Sequence, residues 1–245
     1  MSQPARNQTK LKLMEKKMKF KRSGALMVAT ILSAGVPAWA DDSMSNEGKF
    51  FGKLYGGASM LRDQSISQTG VASAGATSDA SFDTGMVAGG AAGYYFTNNI
   101  SAELAWDYRS NSLDKANFSD GTKFNDGDFA SNIFFLNGYY HLDAILNSKF
   151  RPYIGAGLGY VQEIDIDLKN ATSGVETSYS QDGELAYQFI AGTSYGLTEN
   201  WDLTADVRYM RVDSINLKRE GGGTAELRNV DYDPVSLTVG AVYKF

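Results

Sequence analysis

The sequence is poor in the residues that build disulfide and metal sites. It contains no cysteine and a single histidine, His141, in 245 residues. The lack of cysteine excludes a disulfide scaffold, and one histidine leaves little for a Cys/His metal site. We therefore predict neither a bound metal nor another cofactor.

Long apolar runs are also missing from most of the chain. Beyond residue 40, no apolar stretch is long enough to cross a bilayer as a helix. This lack does not exclude a membrane protein, because in a β-barrel only alternate residues of each strand face lipid.

Acidic residues are nearly absent from the first forty positions, which hold eight Lys or Arg and one Glu. An apolar stretch at 24–35 follows, and small residues at Ala38 and Ala40 precede Asp41. A basic segment, a short apolar core and an Ala-x-Ala cut site are typical of a secretory signal peptide. We predict a signal peptide at 1–40 that is cleaved before Asp41, with Met18 as an alternative translation start. A short lead segment at 41–48 then precedes the first strand.

Cleavage would change the net charge of the chain. Without the eight basic residues and one acidic residue of the signal peptide, 15 basic and 27 acidic residues remain, a net charge of −12. An acidic exported protein is a poor nucleic-acid binder, because phosphate neutralisation requires clustered Lys and Arg. We expect no nucleic-acid partner.

Apolar and polar residues alternate through most of the mature chain, and segment 234–245 shows this most simply. Apolar side chains occupy every second position from Val235 to Phe245, while Ser236, Thr238 and Lys244 lie between them. A two-residue period predicts a strand with one apolar and one polar face. Such a strand at a free terminus would aggregate in water, unless it closes a barrel whose apolar side meets lipid.

Eight segments alternate, and short and long connections follow them in turn. The segments are 49–61, 83–96, 100–109, 129–142, 151–164, 184–197, 201–212 and 234–245. The long connections, at about 62–82, 110–128, 165–182 and 213–233, are rich in polar and small residues and are expected to be loops. We predict an all-β fold: an eight-stranded antiparallel up-and-down transmembrane β-barrel at 49–245, with the four long loops outside the cell.

Outward aromatic residues sort into two belts on this barrel, as they do at the two interfaces of a membrane. The predicted girdle residues are Tyr94, Phe96, Tyr140, Tyr195 and Trp201 near the short turns, and Trp106, Tyr108 and Tyr209 near the long loops. The alternative is a soluble lipocalin-like or sandwich fold. That fold would have to bury the tryptophans and leave Glu103, Asp107, Asp206 and Arg208 on a hydrated surface.

Several strings of the sequence resemble a known family. GKFFGKLYGGASML, GAAGYYFTNNISAELAWDYR, YGLTENWDLTADVRYM and the ending VGAVYKF are similar to the small outer-membrane β-barrel proteins of Gram-negative bacteria, which include the OmpA membrane domain, OmpX-like proteins and opacity-type surface antigens. The resemblance implies contact with outer-membrane lipid and lipopolysaccharide. It also implies a terminal signal for the barrel-assembly machinery at Val239, Ala241, Tyr243 and Phe245.

Charged residues on the inward face form the most informative polar set. They are Lys53, Glu103, Asp107, Arg109, Asp202, Asp206 and Arg208. An eight-stranded barrel is just wide enough for side chains to fill it, and buried charges must be paired. The set therefore predicts an internal salt-bridge network that plugs the barrel, with a narrow polar channel as the alternative.

No motif of a catalytic or cofactor site emerges from the remaining residues. His141 is expected near the periplasmic rim without the base and orienting group that a nucleophile needs. Gly155, Gly157 and Gly159 alternate within a strand, whereas a phosphate-binding loop lies between a strand and a helix. Close approach of neighbouring side chains explains these glycines better.

The leading functional hypothesis is a non-enzymatic, monomeric surface protein. Its loops would serve envelope integrity, adhesion or antigenic contact with a host or cell-surface ligand, since binding tends to reside in loops on a rigid scaffold. The alternatives are a small porin or transporter for small or hydrophobic solutes and, more weakly, a lipid-modifying barrel enzyme.

Overall fold

The computed structural model describes residues 45–69, 77–142, 150–221 and 225–245. They form one antiparallel sheet of twelve strands. The strands are β1 (Phe50–Met60), β2 (Gln64–Thr69), β3 (Thr77–Phe82), β4 (Gly85–Tyr95), β5 (Ile100–Phe118), β6 (Lys123–His141), β7 (Phe150–Asn170), β8 (Glu176–Gln181), β9 (Leu185–Gly196), β10 (Trp201–Arg219), β11 (Glu226–Tyr232) and β12 (Val235–Lys244). Within these ranges, no helix is long and apolar enough to span a membrane.

Eight of the strands pair into a closed ring. Its order is β1, β4, β5, β6, β7, β9, β10, β12 and back to β1. The last strand closes the ring on the first, from Met60 opposite Val235 to Phe51 opposite Lys244. The predicted all-β, antiparallel, ring-closing architecture is confirmed. The sheet as a whole has twelve strands, four more than the sequence pattern predicts.

The four additional strands lie in segments that were predicted to be loops, and this prediction is corrected. β2 and β3 lie within 62–82, β8 lies within 165–182, and β11 lies within 213–233. β5 and β6 run on through 110–128 and leave only 119–122 between them. We call these parts of the sheet the strand extensions, and the end of the barrel that carries them the hairpin end. The opposite end is the short-turn end.

Shifts in strand pairing explain why the sequence pattern missed the extensions. Pairing shifts between Ser81 and Phe82, between Asn132 and Ile133, and between Val212 and Ile215. A β-bulge inserts one residue, so every later side chain moves to the other face of the sheet. Beyond the bulges the apolar positions therefore face inward, whereas within the ring they face outward, so strands with an apolar outer face do not describe the extensions.

Length alone shows that the extensions leave the membrane. β5, β6 and β10 have 19 residues each, and β7 has 21. At about 3.3 Å per residue they span roughly 60–70 Å along the strand, whereas the outward apolar band of such a barrel is only about 25 Å tall. The hairpin end therefore stands well clear of the bilayer.

The outer face of the ring is apolar, as predicted. Leu185, Leu158 and Val239 have exposed fractions of 77%, 74% and 68%. On the fourth predicted strand, Phe134, Leu136, Tyr140 and Leu142 are all exposed. Soluble proteins rarely expose so large a contiguous apolar surface. Contact with lipid accounts for it.

Aromatic residues of the outer face cluster at the short-turn end. Phe50 contacts Tyr94, Phe150 contacts Tyr195, and Tyr243 contacts both Trp201 and Phe245, with ring centroids 4.8–5.0 Å apart. Phe96 and Tyr140 are exposed at the same end. Trp106, Tyr108 and Tyr209 are half-buried and lie further along the ring, toward the hairpin end. Val239 of β12 and Phe245, which directly follows β12, are both exposed.

The inward glycines of β7 allow close packing, as predicted. A Cβ added at Gly155 would lie 2.6 Å from the Tyr139 ring, and one at Gly159 would lie 2.5 Å from the Phe135 ring. At Gly157 it would lie 1.9 Å from Oδ1 of Asn137. Large side chains of β6 therefore fill the barrel across the glycines of β7.

The predicted signal peptide and its cleavage site at Ala38, Ala40 and Asp41 lie outside the described residues. The end of the predicted lead is described. Ser45 Oγ and the backbone N–H of Asn46 both donate hydrogen bonds to Oδ1 of Asn98, at 3.0 and 2.8 Å. These bonds attach the lead to the turn between β4 and β5.

Candidate functional site

The barrel interior is the candidate site, and it holds all seven charges predicted to face inward. Their exposed fractions range from 0% for Asp107, Arg109 and Arg208 to 6% for Asp202. They lie on β1, β5 and β10 because inward positions of these strands fall on every second residue.

Five of these residues form one alternating chain of charges. Lys53 Nζ lies 3.3 Å from Oδ2 of Asp206, and Arg208 Nε donates to Oδ1 of the same carboxylate at 2.7 Å. Arg208 Nη1 lies 3.9 Å from Oδ1 of Asp107, and Arg109 Nη2 donates to Oδ2 of Asp107 at 2.7 Å. We call Lys53–Asp206–Arg208–Asp107–Arg109 the charge chain. It crosses the interior with a cation at each end.

Neutral donors complete the hydrogen bonding of the two carboxylates. Tyr153 OH and Thr238 Oγ1 donate to Asp206 at 2.7 and 2.5 Å, and Tyr55 OH donates to Asp107. The Tyr55 ring also lies 4.0 Å from the Arg208 guanidinium carbon, a cation–π contact. Buried charges are stable only when they are paired and hydrogen-bonded in this way.

The other two predicted charges lie apart from this chain. Glu103 Oε1 accepts hydrogen bonds from Tyr139 OH at 2.7 Å and from Asn137 Nδ2 at 3.1 Å, and it forms no ion pair with a described residue. Asp202 pairs with Lys244 at 3.0 Å, and Lys244 also donates to Asn46. The network thus extends to the short-turn end.

Sequence reasoning missed about half of this network. The missed members are Tyr55, Asn137, Tyr139, Tyr153, Gln188, Thr238 and Lys244. The signal was present in the alternation, since each of them shares the inward phase of its strand. A count of the buried carboxylates against available donors would have pointed to the inward tyrosines and to Lys244.

A small polar cavity lies between the charge chain and the short-turn end. Its volume is about 30 Å³, and its lining includes Lys53, Glu103, His141 and Asp202. His141 Nε2 lies 2.8 Å from Ser101 Oγ. In the described part of the chain, no carboxylate bonds the other ring nitrogen, so the pair lacks the orienting group of a nucleophile–base site.

Toward the hairpin end the interior becomes apolar. The side chains of Phe129, Met210, Ile215 and Tyr232 are 0% exposed. The ring centroids of Phe129 and Tyr232 are 4.7 Å apart. With them pack Leu61, Leu113, Phe118, Phe124, Ile133, Phe135, Val161, Ile164, Ile166, Leu168, Val212, Leu217, Leu227 and Val230. We call this cluster the apolar interior. It is enclosed by the strand extensions and lies directly above the charge chain.

The wall beside the apolar interior has a break in its backbone pairing. Met60 is paired with Val235 on one side of it, and Ser67 is paired with Arg228 on the other. Between these points no ladder pair of the described residues joins 61–66 to 229–234. Pro234 lies here and has no N–H to donate. Across this wall break, Arg62 Nη1 lies 3.9 Å from Oδ2 of Asp233, a weak ion pair in which the arginine side chain is largely exposed.

The outer face of the strand extensions carries closely spaced carboxylates. Asp128 of β6 lies directly opposite Asp167 of β7. Asp165 is the neighbouring outward residue of β7, two positions before Asp167. Burial, together with the charges of Asp167 and Glu163, raises the pKa of Asp165 to about 7. No cluster of three or more His, Asp or Glu side chains in the described ranges could hold a metal ion.

Comparisons with known proteins agree with the fold and the outward apolar band. The model of the OmpW family matches residues 46–245. The chain is 31% identical over 159 residues to outer membrane protein W of Vibrio cholerae serotype O1, which covers 62% of this chain and 70% of that protein. It is 30% identical over 110 residues to outer membrane protein AlkL of Ectopseudomonas oleovorans, covering 45% of this chain and 44% of that protein.

A solved structure shows the same fold. The outer membrane protein OprG from Pseudomonas aeruginosa aligns with a TM-score of 0.55 and 19% identity, over 83% of this chain and 99% of that chain. The predicted resemblance to small outer-membrane barrels of Gram-negative bacteria is thereby confirmed. Because the family match covers nearly all of the described barrel, the chain belongs to the OmpW family and lies in the outer membrane of a bacterium.

Proposed function

We propose that the protein is a non-enzymatic entry route for small apolar molecules, which pass from outside the cell through the apolar interior into the outer leaflet. The observation that carries the proposal is the division of the barrel interior. An apolar region lies at the hairpin end, which we place outside the cell, and the paired charge chain lies between it and the short-turn end. An apolar solute would gain free energy by leaving water for such an interior.

The charge chain argues against an open pore through the whole barrel. An eight-membered ring leaves room for little more than its own side chains. Arg109, Arg208 and Asp107 are fully buried in the middle of that ring. Water and ions would have to break these pairs in order to pass, which costs several kcal/mol per pair.

The wall break supplies the exit that this route needs. It begins at Met60, the last exposed apolar residue of β1, and therefore lies at the upper edge of the lipid-facing band. Backbone groups that are not held in a ladder can separate without loss of sheet pairing. A solute in the apolar interior could move sideways into lipid at this point without crossing the charge chain.

Surface contact, the leading hypothesis from the sequence, stays the second candidate. The carboxylates of Asp128, Asp165 and Asp167 on the outer face favour it, because they could attract a cationic surface. However, the extensions that carry these carboxylates also enclose an apolar cluster. A surface ligand could not reach this cluster, whereas a small apolar solute could occupy it, so we rank surface contact second.

Closing the wall break should slow the entry of apolar molecules. The chain has no cysteine, so Arg62→Cys/Asp233→Cys can be cross-linked cleanly with a short bis-maleimide. In cells that express this variant, we expect cross-linking to lower the entry of the apolar dye N-phenyl-1-naphthylamine to the rate in cells without the protein, because passage through a gate requires it to open.

The matched control is Ser67→Cys/Arg228→Cys, which cross-links two strands at a pair that is already in the ladder. Its cross-linking should leave dye entry unchanged. Equal entry before and after cross-linking at Arg62 and Asp233 would show that the wall break is not the exit. Before cross-linking, dye entry no faster than in cells without the protein would refute the proposed function itself.

A further inference from the structure

The Arg109 end of the charge chain meets the apolar interior. Arg109 is paired across the sheet with Ser131, whose Oγ lies 3.1 Å from the hydroxyl of Tyr232. Tyr232 packs on Phe129 within the apolar interior. Along β5, Leu113 is the second inward residue after Arg109 and already belongs to the apolar interior. The charged lining of the barrel therefore ends at Arg109, and Asn111 is the one inward residue of β5 between it and Leu113.

The guanidinium of Arg109 is incompletely satisfied. Nη2 donates to Asp107 at 2.7 Å and Nε donates to Ser236 Oγ at 3.5 Å. Nη1 is buried and has no hydrogen-bond partner among the described residues. An unpaired donor on a fully buried charged group is costly, and a ligand that accepts from it recovers that cost.

The balance of charge at this end also favours an anion. The charge chain holds three cations, Lys53, Arg208 and Arg109, against two carboxylates, Asp206 and Asp107. Lys53 shares the polar cavity with Glu103, so the Lys53 end has a further carboxylate near it. The described surroundings of Arg109 offer no carboxylate other than Asp107 in an ion pair.

We propose that the apolar interior binds single-chain amphiphiles with an anionic head, such as fatty acids, with the carboxylate on Arg109 and the chain among the apolar side chains above it. This inference rests on the proposed function and names its substrate class. A guanidinium suits a carboxylate because two parallel N–H donors match its two oxygens. The apolar side chains that would hold the hydrocarbon chain include Phe129, Ile164, Ile166 and Ile215.

Binding of dodecanoate and of dodecan-1-ol tests this assignment, because the two share one chain and differ in the head. The full-length mature barrel is placed in lipid nanodiscs at alkaline pH, where the carboxylate is ionised. Methyl NMR signals of Ile166 and Ile215 report occupancy of the apolar interior. We expect dodecanoate to bind about tenfold more tightly than the alcohol, the size of one charge-assisted hydrogen bond.

Variants at the two ends of the charge chain locate the head. Arg109→Gln should bind both amphiphiles equally, whereas Lys53→Gln, which removes the cation at the other end, should keep the preference. Asp107→Asn/Arg109→Gln removes both members of the ion pair and so leaves no unpaired carboxylate beside position 109. It should fold even if Arg109→Gln does not, and it should lose the preference as well.

The outcomes separate this inference from the function on which it rests. Equal binding of dodecanoate and dodecan-1-ol by the wild-type barrel would overturn the assignment of an anionic head and leave the apolar route intact. A preference lost equally in Lys53→Gln would also overturn it, because overall charge would then be responsible. If neither amphiphile shifted the Ile166 and Ile215 signals, the proposed function would fail as well.

Discussion

Replacing Asp206 with alanine is expected to lower the free energy of unfolding by about 3 to 5 kcal/mol, the cost of breaking a buried ion pair by removing one partner. Asp206 accepts from Arg208 at 2.7 Å and from Tyr153 at 2.7 Å, and it lies 3.3 Å from Lys53. Its removal leaves Lys53 with no carboxylate partner in the described ion pairs. Among the described ion pairs, Arg208 keeps its longer contact with Asp107, at 3.9 Å.

Urea unfolding of the mature protein in lipid vesicles, followed by tryptophan fluorescence, measures this loss. Asp213→Ala makes the same chemical change in an exposed ion pair, where the Asp213 side chain is 58% exposed and pairs with Arg211. That variant should lose less than about 1 kcal/mol. Similar losses in the two variants would show that the charge chain does not hold the ring together.

Replacing Ile215 with aspartate is expected to reduce the entry of an apolar dye by more than about tenfold, because a carboxylate in an apolar enclosure attracts water and excludes apolar solutes. Ile215 is 0% exposed and lies in the apolar interior. The next residue, Asn216, faces outward on the same strand, so Asn216→Asp introduces the same residue on the opposite face. Dye entry in that control should match the wild type.

A second variant separates loss of apolar character from loss of stability. Ile215→Ala leaves a cavity and should lower the free energy of unfolding by about 2 to 5 kcal/mol. It keeps the interior apolar, so dye entry should persist in the folded protein. If Ile215→Ala and Ile215→Asp stopped entry alike, packing rather than apolarity would be the requirement, and the proposed route would lose its physical basis.

The ring was predictable because its two-residue period is unbroken. In segment 201–212 the inward residues Asp202, Asp206 and Arg208 alternate with outward Leu203 and Val207, and the structure keeps that phase throughout. Lipid on one side and packed side chains on the other impose the same alternation on every strand of the ring. The sequence alone therefore carried the strand directions, the closing strand and the inward charges.

The strand extensions were not predictable in the same way. Above the membrane the outer face is hydrated, so Asp165 and Asp167 alternate with inward Ile164, Ile166 and Leu168. That pattern is as clear as any in the ring, but the residue inserted in β7 between Val161 and Glu163 turns the apolar positions from the outer face to the inner face. Small and polar composition then suggested loops. A search for alternation that lets apolar side chains face inward as well as outward would have found β7 continuing to Asn170.

The apolar interior depends on pairings between distant segments, which spacing in the sequence does not reveal. Tyr232 of β11 meets Phe129 of β6, which lies more than a hundred residues earlier in the chain. Likewise, the unpaired Nη1 of Arg109 follows from which partners its other nitrogens find. The charges could be predicted from the sequence, whereas the boundary between charged and apolar interior could not.

Entry of radiolabelled decane and of radiolabelled glucose into cells that express the protein, each relative to cells without it, tests the central claim most directly. The divided interior predicts that the barrel raises the entry rate of decane severalfold and leaves that of glucose unchanged. Faster entry of both solutes would mean that the charge chain opens and that the barrel is a general pore. Unchanged entry of both would mean that the apolar interior only stiffens the strand extensions, and surface contact would then become the leading function.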